Sequence, residues 1–446
     1  MEHWNNQKIR RLLWPLIVEQ LLAVTIGIAD TAMVTSTGET AISGVSLVDQ
    51  INQLLIILMS ALAMGGSVVV SQYIGREDSR SAASASKQLL LFNLIFSIGV
   101  MTLTLVFHQL ILSLVYGNLD ADVMSNAVRY FRLYALSLPF FAVYTAAGSL
   151  FRAAGNSRLP MFAAVLMNVV NISANAIFIF GFKMGVAGAA LGTVLCRVVG
   201  GIFLLFLLLK SKNPNINPHC APKTTLTLEP VMIKRILKIG IPGAIENSLF
   251  QFGKIFLARV VSSFGTASIA ANAISGAVAS FIYMPGTGFC MAILTVAGQC
   301  IGAKDYEGAK FWTYKLMKTT YIALISLNIM IFFCMDLWLG VFDLSPETIV
   351  LTKQFLTLHC ISSSIGWPLS FALPNALRAA GDAKFVMITA VCTMWLVRIS
   401  SSYIFAYVLD FKALSVWMGM ALDFFLRGAI FTVRWRGGKW QTKHVI

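Results

Sequence analysis

The chain has 446 residues, of which 57% are apolar and 12% charged, with a formal net charge of +15. An average soluble domain carries roughly 25% charged residues, so this composition excludes an ordinary soluble globular protein. Apolar runs recur along the whole length, each long enough to cross ~30 Å of hydrocarbon, and the basic N-terminal stretch leads straight into the first of them, so no cleavable leader is expected.

In chain order, twelve helical spans are predicted at 12–35, 45–72, 86–114, 124–151, 159–182, 186–210, 232–263, 268–299, 311–340, 348–376, 384–409 and 413–434. The basic residues test this reading. The N-terminus, the even-numbered loops and the C-terminus hold 24 of the 34 Lys and Arg, including Arg10, Arg11, Arg76, Lys234 and Arg436. The opposite side holds Arg129, Arg132, Lys183, Lys353 and Lys412, and the spans themselves hold Arg197, Lys254, Arg259, Arg398 and Arg427. That asymmetry places both termini in the cytoplasm. The positive charge is therefore a topology signal, and no nucleic-acid partner is expected.

The chain repeats itself. Pro15-Leu16-Ile17-Val18-Glu19 returns 227 residues later as Pro242-Gly243-Ala244-Ile245-Glu246, and Gln72-Tyr73-Ile74-Gly75 returns at the same offset as Gln299-Cys300-Ile301-Gly302. Arg152-Ala153-Ala154-Gly155 returns as Arg378-Ala379-Ala380-Gly381, offset by 226. Matches in order at one offset mark a tandem duplication. Residues 1–210 and 231–446 are expected as two six-helix lobes of the same orientation, joined by a cytoplasmic linker at 211–230 that is rich in proline and poor in large apolar residues. The repeated loops read as helix caps, with each Arg-Ala-Ala-Gly glycine ending its helix in the left-handed conformation. The seven cysteines are scattered and form no CxxC or His-Cys cluster, so free thiols are expected.

Four acids lie well inside spans: Glu19, Asp30, Glu246 and Asp423. A carboxylate in hydrocarbon costs about 2.5–3.5 kcal/mol on insertion scales, so each needs a partner or a cavity. Asp30 is about 22 Å along its helix from Pro15. A carboxyl buried there with no adjacent Lys or Arg would take a proton near neutral pH, whereas a sodium ion held by carboxylate and amide oxygens would keep it ionised. Glu19 projects from the same face as Asp30, and Glu246 is its repeat mate, so both are candidate substrate or gate residues, with Gln251 and Lys254 further along the same span. A helix-start carboxylate complementing the dipole is the competing reading for both glutamates. Asp423 and Arg427, at i and i+4, are expected to neutralise each other. Arg197, the repeat counterpart of Arg427, is read as structural. Lys254 and Arg398 are discordant with a cleft for cations. Pro139, Pro285, Pro368 and Pro374 are candidate bends, and Tyr283-Met284-Pro285-Gly286-Thr287-Gly288 is the best candidate for a break in a helix.

Four segments together resemble the multidrug and toxic compound extrusion transporters over nearly the whole chain. They are Pro15 through Ala29-Asp30-Thr31-Ala32-Met33-Val34, the Gln-x-Ile-Gly loops, the Arg-Ala-Ala-Gly turns, and Asn171-x-x-x-Asn175 followed by Gly185 to Thr193. The resemblance implies an all-α integral membrane protein with two six-helix bundles facing a central cleft. It further implies a secondary antiporter in a bacterial-type inner membrane that exports amphipathic organic cations in exchange for H+ or Na+ by alternating access. A monomer without a cofactor is expected, its partners being the lipid bilayer and small organic cations. By that resemblance Asp30, Asn171, Asn175 and Thr193 form the cation-coupling site, with Na+ possible at Asp30. Asn175 stands where some members have Asp, which removes one charge. Phe250 and Gln251 stand where some relatives keep a buried acid. The alternative within the superfamily is a flippase or exporter of a lipid-linked or anionic substrate. A membrane enzyme or receptor finds no support in any nucleophile, metal or phosphate-loop motif.

Overall fold

The computed structural model describes residues 4–35, 39–117, 120–221, 227–340, 344–443 and 445–446, though not the side chains of residues 28, 31, 32, 35 and 39–42. Thr31 and Ala32 of the first-span motif therefore lie outside the described side chains. The described residues form helices and no strand, as hydrocarbon demands of a chain that must satisfy its backbone internally.

Twelve helical stretches follow one another. The first half contains α1 (Asn6–Thr35), α2 (Glu39–Gly75) and α3 (Ser79–Tyr116). Next comes α4, in which Ala121–Leu136 is followed by Leu138–Ala153 across a 45° bend. Pro139 sits in the first turn after that bend, where its missing N–H costs nothing. Then α5 (Arg158–Asn175) ends in a π-helical turn, Ala176–Gly181, and is followed by α6 (Val186–Leu209). The second half begins with α7 (Pro230–Ser262), α8 (Thr266–Gly302) and α9 (Tyr306–Phe333). In α10, Pro346–Trp367 passes through a π turn at Pro368–Ala372 into Leu373–Ala379. In α11, Ala383–Cys392 passes through a π turn at Thr393–Ile399 into Ser400–Tyr407, and α12 is Leu414–Arg436. Pro368 opens the π turn of α10, as expected where a proline removes a ladder bond. The predicted break at Tyr283–Gly288 does not occur: α8 is helical throughout, with Pro285 buried inside it.

Eight described stretches are long and apolar enough to cross a membrane, or nine with the bent α4 counted as one. The three that fall short are α1, α7 and α10. These carry Glu19 and Asp30, Glu246 and Lys254, and the polar run His359 to Ser364. Polarity inside a span marks function or pairing, and α1 and α7 fall short because they carry these charged residues.

Two compact units divide the chain between Ile241 and Pro242, within α7 rather than in the linker. The start of α7 belongs to the first unit because it touches α2. A Cβ on Gly65 would lie 2.5 Å from the Ile236 carbonyl, and Arg235 donates to the Tyr73 hydroxyl. The described part of the linker is tied to α3: Gln88 Nε2 donates to the Thr227 carbonyl at 3.0 Å, and Glu229 N to Gln88 Oε1 at 3.0 Å.

Candidate functional site

In the first unit α1 lies against α5, and α5 against α6. The close approach of the last pair requires Gly192, since a Cβ there would fall 1.9 Å from Asn175 Oδ1. It presses Asn175 towards α1, where its Nδ2 donates to Asp30 Oδ1 at 2.6 Å and to Asn171 Oδ1 at 3.4 Å. Both asparagines are fully buried, while Asp30 is half-buried. The i, i+4 spacing thus presents two amides to one carboxylate.

Thr193 does not join them. Its hydroxyl donates to the Ala189 carbonyl of its own helix at 3.1 Å, the usual local bond of a mid-helix threonine.

A residue absent from the expected set does join the neighbourhood. Asp49, near the start of α2, accepts from the Tyr130 hydroxyl at 3.2 Å and from Asn52 Nδ2 at 3.4 Å. Its charge opposes that of Asp30, and Arg197 acts in the other direction on both. Position 49 lies close to a span end, which hid it; the signal that could have found it is Asp49 with Asn52, one helical turn apart in an apolar run. Arg197 is buried, donates to Ser137 Oγ at 2.9 Å and to the Tyr134 hydroxyl at 2.5 Å, and lies 4.3 Å from the Tyr134 ring centroid. Two carboxylates facing one guanidinium leave a net negative site, able to take one monovalent cation or proton.

Glu19 and Glu246 are not free acids. Arg152 donates to Glu19 at 2.8 Å, and Arg378 to Glu246 at 2.6 Å. Each bond joins the first helix of a unit to the Arg-Ala-Ala-Gly turn of the same unit, so the duplicated motifs are the two halves of one clamp. The glycine of each turn is left-handed, at φ 78° for Gly155 and 88° for Gly381. Each clamp gives its glutamate a counterion, so neither acid is an uncompensated charge. The sequence signal was present: an acid and an arginine inside apolar runs recur together in both halves.

The repeated loops behave as caps. Asp78 accepts from Ser81 N at 3.0 Å and Asp305 from Gly308 N at 2.8 Å, each preceded by a left-handed residue, Glu77 and Lys304.

In the second unit Asp423 and Arg427 pair at 2.8 Å, as their spacing implied. Arg427 also lies 4.4 Å from the Phe371 ring centroid. Lys254 does not pair with an acid among the described residues; its ammonium stands 5.5 Å from the Phe250 ring centroid. Gln251 is half-buried on the same helix. The aromatics that sequence could not select form a row: Tyr283 stacks on Trp367 at 5.2 Å, and Trp367 on Phe371 at 5.3 Å. All seven cysteines are free.

A family model described as MatE matches residues 15–177 and again 242–404, which reproduces the internal repeat. The chain is 27% identical over 97% of its length to "Uncharacterized transporter YisQ" of Bacillus subtilis, covering 94% of that protein. It is 26% identical over 99% of its length to "Probable multidrug resistance protein NorM" of Thermotoga maritima, again covering 94%. Among solved structures, an outward-facing multidrug resistance MATE transporter of the MOP superfamily superposes with a TM-score of 0.87 at 18% identity, covering 97% of this chain and 95% of that one.

Proposed function

The chain belongs to the MatE family of membrane transporters, and we propose that it is a secondary antiporter exporting amphipathic organic cations in exchange for H+ or Na+. The observation that carries this reading is the Asp30–Asn175 bond at 2.6 Å, a carboxylate held by a buried amide inside a membrane helix. A carboxylate among amide and hydroxyl oxygens suits a proton or a hard monovalent cation, and nothing about it requires a resident cofactor.

Binding at Asp30 changes the charge of the first unit by one. It can favour one transport arrangement only through a difference in affinity between the arrangements, and drug binding favours the other in the same way. The excess of Lys and Arg in the even-numbered loops supports a reading with both termini on the cytoplasmic side of a bacterial-type inner membrane, and a duplicated chain that carries both six-helix halves supports a monomer.

The test is uptake of a fluorescent organic cation into inside-out vesicles under a pH gradient and, separately, a sodium gradient. Asp30→Asn keeps the shape and removes the charge. Gradient-driven uptake is expected to fall to background with protein level and melting temperature retained; full coupling in the variant overturns the reading.

A further inference from the structure

In the second unit the buried charges do not cancel. Lys254, Arg398 and Arg427 stand around the Phe250 ring with their charged centres 5.5, 5.7 and 5.5 Å from its centroid. One carboxylate answers them, Asp423, and Arg427 engages it at 2.8 Å. Arg398 is 7% exposed, and its Nε has no hydrogen-bond partner among the described residues. The acid that acts on it is that same Asp423. Lys254 is exposed near the middle of α7 and feels only the like charge of Arg398.

Three cations with one carboxylate leave an excess of two positive charges. An aromatic face offsets only a small part of the cost of an uncompensated buried ion. The rings therefore do not offset the excess. An exposed lysine within a membrane helix is stable only facing water, so the excess charge is open to a solute. The aromatic row begins at the same place: Phe250 meets Phe371 edge-on at 6.2 Å, and Trp367 and Tyr283 continue from it.

We infer that the second unit binds an aromatic amphiphile by its anionic oxygen group, which Arg398 and Lys254 hold beside Phe250, the ring at which the aromatic row begins. Arginine matches a carboxylate through paired N–H donors, and lysine adds a point charge. The inference deepens the export reading by giving the substrate an acid group. It rests on that reading only in calling the ligand a substrate. A lipid phosphate offers the same oxygen chemistry; the occupant assigned here is the free aromatic acid.

The experiment measures binding of 1-naphthoate and of its methyl ester to the full chain in phosphatidylcholine nanodiscs. Wild type is expected to bind the acid more tightly than the ester. Lys254→Gln and Arg398→Gln are each expected to weaken the acid at least about tenfold, ~1.4 kcal/mol, and to leave the ester unchanged. Lys254 is exposed, so its variant should keep the wild-type melting temperature even if Arg398→Gln does not. Equal binding of acid and ester, or wild-type affinity in both variants, overturns the site. Discs containing phosphatidylglycerol should leave naphthoate affinity unaltered; a tenfold loss there assigns the site to a lipid headgroup and overturns the substrate reading. Asp30→Asn is expected to keep the preference for acid over ester, whatever its shift in absolute affinity. Loss of ion coupling in that variant bears on the transport cycle, and loss of the acid-over-ester preference bears on this site.

Discussion

At positions 227 residues apart, the first unit carries Asp30 where the second carries Leu257, and Asp49 where the second carries Gly276. The clamps, by contrast, are the same in both: Glu19–Arg152 at 2.8 Å and Glu246–Arg378 at 2.6 Å. The duplication has kept the ion pair that holds the first helix of each unit and let the interior charge diverge, acidic in one half and basic in the other. What stayed the same is scaffold, and what changed sign is where the two units meet different chemistry.

Asp30→Asn, with loss of gradient-driven uptake, is the largest effect this division predicts, and the matched change Leu257→Asn in the second unit should leave ion coupling intact. Comparable loss in both would break the division. Asp423→Asn strips the fully buried Arg427 of its carboxylate, and removing one partner of a buried pair costs about 3–5 kcal/mol. A melting curve should show a clear drop, and a wild-type curve would mean that the rings alone hold Arg427.

Glu19→Gln and Glu246→Gln should each cost about 1–3 kcal/mol, between the values for surface and buried pairs, and by equal amounts if the clamps are equivalent. A drop in melting temperature for one only would show that one clamp has another task. The smallest effect is expected at the caps, where Asp78→Ala and Asp305→Ala should each cost about 1 kcal/mol. The hydrogen bonds from Ser81 hold the Asp78 carboxyl below its ordinary value. Its contribution is therefore complete above the unfolded carboxyl's value of 3.8 and is lost as pH falls through the folded one. The melting temperatures of wild type and Asp78→Ala should differ at pH 7 and draw together as the pH falls below 3.8.

Much of this could be read in the sequence. The twelve long helices correspond in order to the twelve spans expected from the sequence. Asp30 with Asn175 followed from a resemblance that geometry then supports. Sequence could not reveal that Thr193 is occupied by its own helix, because a hydroxyl in α6 has the same spacing whether it turns to Ala189 or to α1. Nor could it show that Glu19 meets Arg152, since 133 residues separate them and only the fold closes that distance. The row from Tyr283 to Phe371 was hidden for a different reason: 31 phenylalanines and nine tryptophans offer far more rings than one site can use.

The paired clamps also bear on how the protein is made. Glu19 and Arg152 leave the ribosome within the same half, and so do Glu246 and Arg378. Neither acid depends on a counterion from the other half. Each half carries its own counter-charges into the membrane, which is what allows a six-helix gene to be copied end to end and still yield a chain that inserts.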